Sequence, residues 1–304
     1  MKTSTGMNNQ MSEKEYQAFK KLCTKNGKMM VIAMDQRNSM RVLLSDDEQV
    51  VNSVDNKELG KVKARLVQYL GNYAPAVLLD PECAFPEIID DKVLAEDVAL
   101  VVGLDASGYD VDPLTMLRES RIVQGVDAST VKKLGGTAAK LLVFMRPDQV
   151  EDHTYTSELI NKTVKEFSDQ DVLLVVEILV YKLQDENLAE FEQKKPDLIN
   201  EAACLAVENG AKVLKLQYPG SAEMCRKVSE TVGDVPWAVL SQGVSHEVFI
   251  DQLKVAMKNG ASGAIAGRSL WKDCVSLLPV EMKERLETLA LPRLREILAL
   301  LNEG

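Results

Sequence analysis

Four charged residues stand where charge is costly. Asp35 follows the apolar run MMVIAM (29–34), Lys140 lies in AKLLVF (139–144), Glu177 in VLLVVEILV (172–180) and Lys215 in VLKL (213–216). Such runs read as buried strands, along which side chains alternate in direction. Val213, Lys215 and Gln217 therefore share one face, and Leu214 and Leu216 the other. With the leucines against helices, Lys215 points away from them. The same parity groups Val175, Glu177 and Leu179, and likewise Lys140, Leu142 and Phe144. Burial and a second cation nearby both favour a neutral amine. A neutral amine can form a Schiff base with a ketone, and an adjacent carboxylate can move the protons. Taken singly, each residue is more often a strand-end side chain that snorkels to water or forms a structural ion pair. Their coincidence on four strands favours chemistry, although spacing alone names no reaction.

A second pattern concerns anions. Ser241-Gln242-Gly243 follows the run 238–240, and Gly267-Arg268-Ser269 follows GAIA (263–266). Glycine leaves backbone N–H groups accessible, and arginine offers a fork that matches an oxyanion. The plainer alternative is a pair of ordinary turns with a surface arginine. Trp271 reads as packing. Because the formal net charge is −10, an anion site must be local, and a nucleic-acid partner is not expected. The two histidines, His153 and His246, form no HExxH or comparable cluster, so metal catalysis is not expected and no cofactor is implied. Five scattered cysteines without CxxC spacing read as reduced thiols.

The elements that must position these residues recur along the chain. The runs 29–34, 76–79, 98–104, 139–144, 172–180, 213–216, 238–240 and 263–266 make eight strands. Amphipathic stretches lie between them, clearest at 45–70, 156–169, 196–209 and 246–259, two of which end in Asn-Gly. Such alternation gives a closed barrel or a long doubly wound sheet. DQR, not GxGxxG, follows the first strand, which favours the barrel. The expected fold is α/β, a single (β/α)8 barrel over residues 1–304, with an extra N-terminal helix within 1–27 and closing helices after Leu278. In such a barrel, inward side chains at the C-terminal strand ends form the site. No apolar run approaches the ~20 residues that cross a bilayer, and the N-terminus lacks a signal-peptide core. The cytoplasm is the expected compartment, with no membrane partner.

The sequence resembles the tagatose-1,6-bisphosphate aldolase family and its relatives, the sulfofructosephosphate aldolases. The resemblance runs through AMDQR (33–37), LLDPE (78–82), GYD (108–110), KLLVF (140–144), VVEILVY (175–181) and VLKLQYP (213–219), and closes with PWAVLSQGVSHEVF (236–249) and AMKNGASGAIAGRSLW (256–271). It implies a TIM barrel, no metal, and covalent catalysis by Lys215. Glu177 is implied as acid/base, with Asp35 and Lys140 as partners. Gln36 and Arg37 would line the pocket, and Ser241, Gly243, Gly267 and Arg268 would hold the phosphate of a dihydroxyacetone-phosphate half. Gln217 departs from the carboxylate common in the family. Gly135-Gly136 and VPW look closer to the sulfosugar branch, LLDPE and GYD to the tagatose branch. The expected reaction is cleavage of tagatose 1,6-bisphosphate to dihydroxyacetone phosphate and glyceraldehyde 3-phosphate. The alternatives are sulfofructose 1-phosphate cleavage, a sugar-phosphate sensor without turnover, and a phosphosugar isomerase. Arg37 and Arg146 are candidate ligands for the distal end. Family habit suggests a homo-oligomer.

Overall fold

The eight apolar runs form the eight parallel strands of one closed barrel: β1 (Met29–Ala33), β2 (Ala76–Leu79), β3 (Ala99–Gly103), β4 (Ala138–Met145), β5 (Leu173–Val180), β6 (Leu214–Leu216), β7 (Trp237–Leu240) and β8 (Gly263–Ala266). The structure, a computed structural model, describes residues 10–149 and 154–303. His153 and the first nine residues lie outside that range. Each strand pairs with the next, and β8 returns to β1 with Met29 opposite Gly263. That closure depends on Gly263. Its φ is 149°, and a Cβ there would overlap the Met29 backbone.

The strand alternation separates two cores. Val31, Ala33, Leu78, Val101, Ala138, Leu173, Val175, Val213 and Ile265 fill the barrel interior. Ile32, Val77, Val102, Leu141, Val176, Leu214 and Leu216 pack outward against the helices. With one face in the barrel interior and the other under helices, the strands are buried on both sides and read as unbroken apolar runs.

Before β1, the helix Glu13–Lys21 starts at a capping box between Ser12 and Glu15. Phe19 and Leu22 pack against the interior residues at the N-terminal ends of the strands. Glu15, 1% exposed, accepts from Lys212 at 2.6 and 2.8 Å. At the other end of the chain, helices Pro279–Arg285 and Leu291–Asn302 bury Met282, Leu294, Ile297 and Leu301.

Three stretches differ from the sequence reading. Residues 45–70 form two helices, Glu48–Ser53 and Asn56–Tyr69, because Asp55 is extended and its carboxylate caps the second at Glu58. The helix expected from Pro196 begins at Leu188, capped by Asn187, and carries Pro196 in its interior. An unforeseen antiparallel ribbon, Asp105–Val111 with Arg118–Ile122, leaves β3 and stands beside the ends of β4 and β5. There the Phe144 N–H donates to Ser120 Oγ at 3.2 Å, and the Arg118 N–H donates to Tyr181 Oη at 2.9 Å.

Candidate active site

The inward parity of the strands continues into charged residues at their C-terminal ends. Val31 and Ala33 lead to Asp35, Ala138 to Lys140, Leu173 and Val175 to Glu177, and Val213 to Lys215. Val101 and Gly103 lead in the same way to Asp105, which the sequence reading passed over. Lys140 Nζ lies 2.7 Å from Asp35 Oδ2, 2.5 Å from Asp105 Oδ1 and 3.2 Å from Glu177 Oε2. Lys215 Nζ donates to Glu177 Oε2 at 2.8 Å. Only 1% of Lys140 and 4% of Lys215 is exposed, so each amine depends on these partners.

The charges are unequal in consequence. Burial alone would drive Lys140 toward neutrality, but Asp105, Asp35 and Glu177 outweigh it and hold its pKa well above the ordinary lysine value. Burial also works to raise Asp35, but Lys140 and Lys215 prevail and keep it below the usual carboxylate range. Asp105 moves the other way: burial and the charges of Asp35 and Glu177 raise it against the pull of Lys140. Lys140 is thus a fixed cation held by three carboxylates, while Lys215 shares one carboxylate oxygen with it. Asp35 Oδ1 and Gln36 Oε1 are buried with no hydrogen-bond partner among the described residues, two acceptors available to hydroxyl or amide donors.

Behind this cluster runs a brace. Lys63, fully buried on the helix Asn56–Tyr69, donates to the Met34 carbonyl at 2.9 Å and pairs with Asp80. Asp80 Oδ1 also accepts from the N–H groups of Glu82 at 3.1 Å and Cys83 at 2.9 Å. Arg37 pairs with Glu82 and donates to the Asp105 carbonyl at 2.6 Å. The loop after β2 thereby fixes the loop that carries Asp35 and Gln36. A lysine on the apolar face of an amphipathic helix was the one sequence signal for this.

A cavity of about 340 Å³ opens over Lys215 and Glu177. Ser241, Gly243, Gly267 and Arg268 line one side, with Gln36 beside them. The Gly267 N–H donates to Ser241 Oγ at 3.2 Å, which leaves the serine hydroxyl's own hydrogen for another acceptor. Gln242 and Gly243 both have positive φ, 50° and 78°. The first is an uncommon conformation for a residue with a side chain. Arg268 lies against Gly243, where a Cβ would stand 3.4 Å from the guanidinium carbon. On the other side of the cavity are Arg118, Phe144 and Tyr181.

Nine of the ten residues singled out from sequence gather here, all at the cavity or in the lysine–carboxylate cluster. Arg37 is turned away into the brace. Arg146, 1% exposed, is taken up by Asp148 and Glu186. Gln217 lines the cavity and accepts from the Val180 N–H at 2.8 Å, tying β6 to β5. Trp271 is packing, with its indole N–H donating to the Ala33 carbonyl at 3.0 Å. His246 faces Glu296 on the C-terminal helix, 2.7 Å away.

A family model described as DeoC/LacD family aldolase matches residues 28–273. A tagatose 1,6-diphosphate aldolase of Staphylococcus epidermidis is 26% identical over 291 residues, covering 88% of this chain and 87% of that one. Its counterpart in Lactococcus lactis subsp. lactis is 25% identical over 290 residues, with 87% of each covered. Among solved structures, a Schiff-base-forming fructose-1,6-bisphosphate aldolase aligns with a TM-score of 0.63 at 18% identity, covering 94% of this chain and 99% of that one. Fructose-bisphosphate aldolase from Plasmodium falciparum aligns at 0.66 and 14% identity, covering 97% and 98%. These two likenesses show a shared fold.

Proposed function

The chain belongs to the DeoC/LacD aldolase family and is a carbon–carbon lyase, and we propose that it cleaves tagatose 1,6-bisphosphate through a Schiff base on Lys215. The observation that carries this reading is the single carboxylate oxygen shared by two buried lysines, one of them fixed as a cation by two further carboxylates. Schiff-base formation needs an amine beside a proton carrier, and Lys215 Nζ lies 2.8 Å from Glu177 Oε2.

In this mechanism Glu177 takes the Lys215 proton and the amine attacks the C2 ketone. Glu177 then protonates the carbinolamine hydroxyl, which leaves as water. The iminium accepts the electron pair of the C3–C4 bond as Glu177, a carboxylate again once water has left, takes the C4 hydroxyl proton that it later returns to C3. Glyceraldehyde 3-phosphate departs, and protonation at C3 followed by hydrolysis releases dihydroxyacetone phosphate and the free lysine. Lys140 meets the developing negative charge at the substrate oxygens, and Asp35 orients Lys140. Ser241, Gly243, Gly267 and Arg268 hold the C1 phosphate, and Gln36 contacts the same half.

Aldol-cleavage assays coupled to triose-phosphate detection test the reading, with tagatose 1,6-bisphosphate, fructose 1,6-bisphosphate and 6-deoxy-6-sulfofructose 1-phosphate compared under one condition. Tagatose bisphosphate is expected to be turned over, with loose selection at C4. A lead of ~100-fold or more for the sulfosugar, a margin that buried polar contacts can supply, transfers the assignment to that substrate. Failure to cleave any of the three overturns the proposed substrate class.

A further inference from the structure

The proposed mechanism uses a cation at one side of the cavity, while the structure has a second at the other. Arg118 lines the cavity from the ribbon, and among the described residues no carboxylate pairs with its guanidinium. Its guanidinium carbon lies 4.3 Å from the Tyr109 ring centre, 4.5 Å from that of Tyr181 and 5.7 Å from that of Phe144. The backbone N–H of the same residue is held by Tyr181 Oη. Three rings thus gather round the guanidinium without supplying a strong hydrogen-bond acceptor for its N–H groups, and such a fork matches a tetrahedral oxyanion.

Position around the ring adds direction. Arg268 follows β8 and Ser241 follows β7. Phe144 is on β4, and Tyr181 directly follows β5. In a ring of eight strands β4 is diametrically opposite β8. Lys215 and Glu177, on β6 and β5, lie between the two arginines in strand order. In a protein of net charge −10, neither guanidinium has a carboxylate partner among the described residues, which leaves both free to meet an anion in the cavity.

We propose that Arg118 binds the oxyanion at the end of the substrate remote from C1, making it a specificity-determining residue for ketoses that are anionic at both ends. The inference rests on the Schiff-base reading for its direction, since C1 at Arg268 and C2 at Lys215 carry the rest of the chain toward Arg118. Phosphate and sulfonate share the required chemistry, three oxygens on a tetrahedral centre.

The test removes each partner in turn. Cleavage of tagatose 1,6-bisphosphate and tagatose 1-phosphate is measured for the wild type, Arg118→Ala and Arg118→Lys. Loss of a charge-assisted contact predicts a fall of roughly 10–150-fold in kcat/KM for the bisphosphate with Arg118→Ala, and little change for the monophosphate. Arg118→Lys recovers part of the loss. 6-Deoxy-6-sulfofructose 1-phosphate, run in parallel with fructose 1,6-bisphosphate, tells whether sulfonate or phosphate depends more on the arginine. Equal losses for the bisphosphate and the monophosphate, or none for either, overturn the proposal. An equilibrium arm needs no turnover: in a Lys215→Met background, the affinity gained from the distal phosphate must vanish when Arg118→Ala is added. Failure of borohydride to trap dihydroxyacetone phosphate on wild-type Lys215 overturns the Schiff-base reading alone, because the equilibrium arm still reads Arg118 directly.

Discussion

Oε2 of Glu177 lies 2.8 Å from Lys215 Nζ and 3.2 Å from Lys140 Nζ. One oxygen therefore touches both amines, and a proton taken from Lys215 arrives where a fixed cation already balances the carboxylate. That asymmetry separates the two amines: three carboxylates hold Lys140 as a cation, and in the proposed mechanism Lys215 is the amine that attacks.

Lys215→Met is accordingly expected to fold and to be inert. Borohydride added with dihydroxyacetone phosphate should inactivate the wild type and add the ligand's mass to the peptide containing Lys215. Labelling of the Lys140 peptide instead would falsify the assignment of the nucleophile.

Arg268→Ala removes the charged fork beside Gly243. The expected cost is on the order of 2–4 kcal/mol in kcat/KM for the bisphosphate. Steady-state kinetics with near-normal constants would move the C1 anion to other ligands.

The brace behind the site makes a prediction about stability. Lys63 and Asp80 are both buried, so Lys63→Met alone leaves an unpaired carboxylate and should cost about 3–5 kcal/mol. The double variant Lys63→Met/Asp80→Leu should recover much of that stability. Activity should stay low in both, because the Met34 carbonyl loses its donor and the Asp35 loop its anchor. Urea denaturation and kinetics on the same samples check the two halves separately. A double variant with full activity would show that Lys63 does not position Asp35.

The thiols give a pH dependence. Burial pushes Cys83 and Cys225 up to about 11 and Cys23 and Cys274 up to about 12. A folded pKa above the unfolded value of ~8.5 means that the protonated thiol favours the folded state. That contribution is complete below pH ~8.5 and is lost as pH rises through the folded values. The melting temperature should therefore fall between pH 9 and pH 11, and fall less in a Cys83→Ala/Cys225→Ala variant. Parallel curves for the two proteins would remove the thiols as the cause.

The barrel was legible in the sequence because all eight strands are covered by helices and read as apolar runs. The ribbon was not. Asp105–Val111 and Arg118–Ile122 are largely exposed and polar, with no apolar run to mark them. Arg118 was hidden with the ribbon, while Arg37 and Arg146, the sequence's candidates for the distal end, are held in internal ion pairs. Asp105 could have been found, since it directly follows the third run with the parity that identified the other four charges. The brace was harder to see: nothing in the spacing of Lys63 and Asp80 tells that they meet.

β6 is the shortest strand of the barrel, three residues long with Lys215 at its centre. Lys212, just upstream, is held by Glu15 of the N-terminal helix, and Gln217, just downstream, is held by the Val180 N–H of β5. The segment that carries Lys215 is thus anchored at both ends, like a string stopped at bridge and nut. Shortening the chain before residue 22 would release one of those anchors, and the slack would reach Lys215 from the N-terminal face of the barrel, the far side from the cavity.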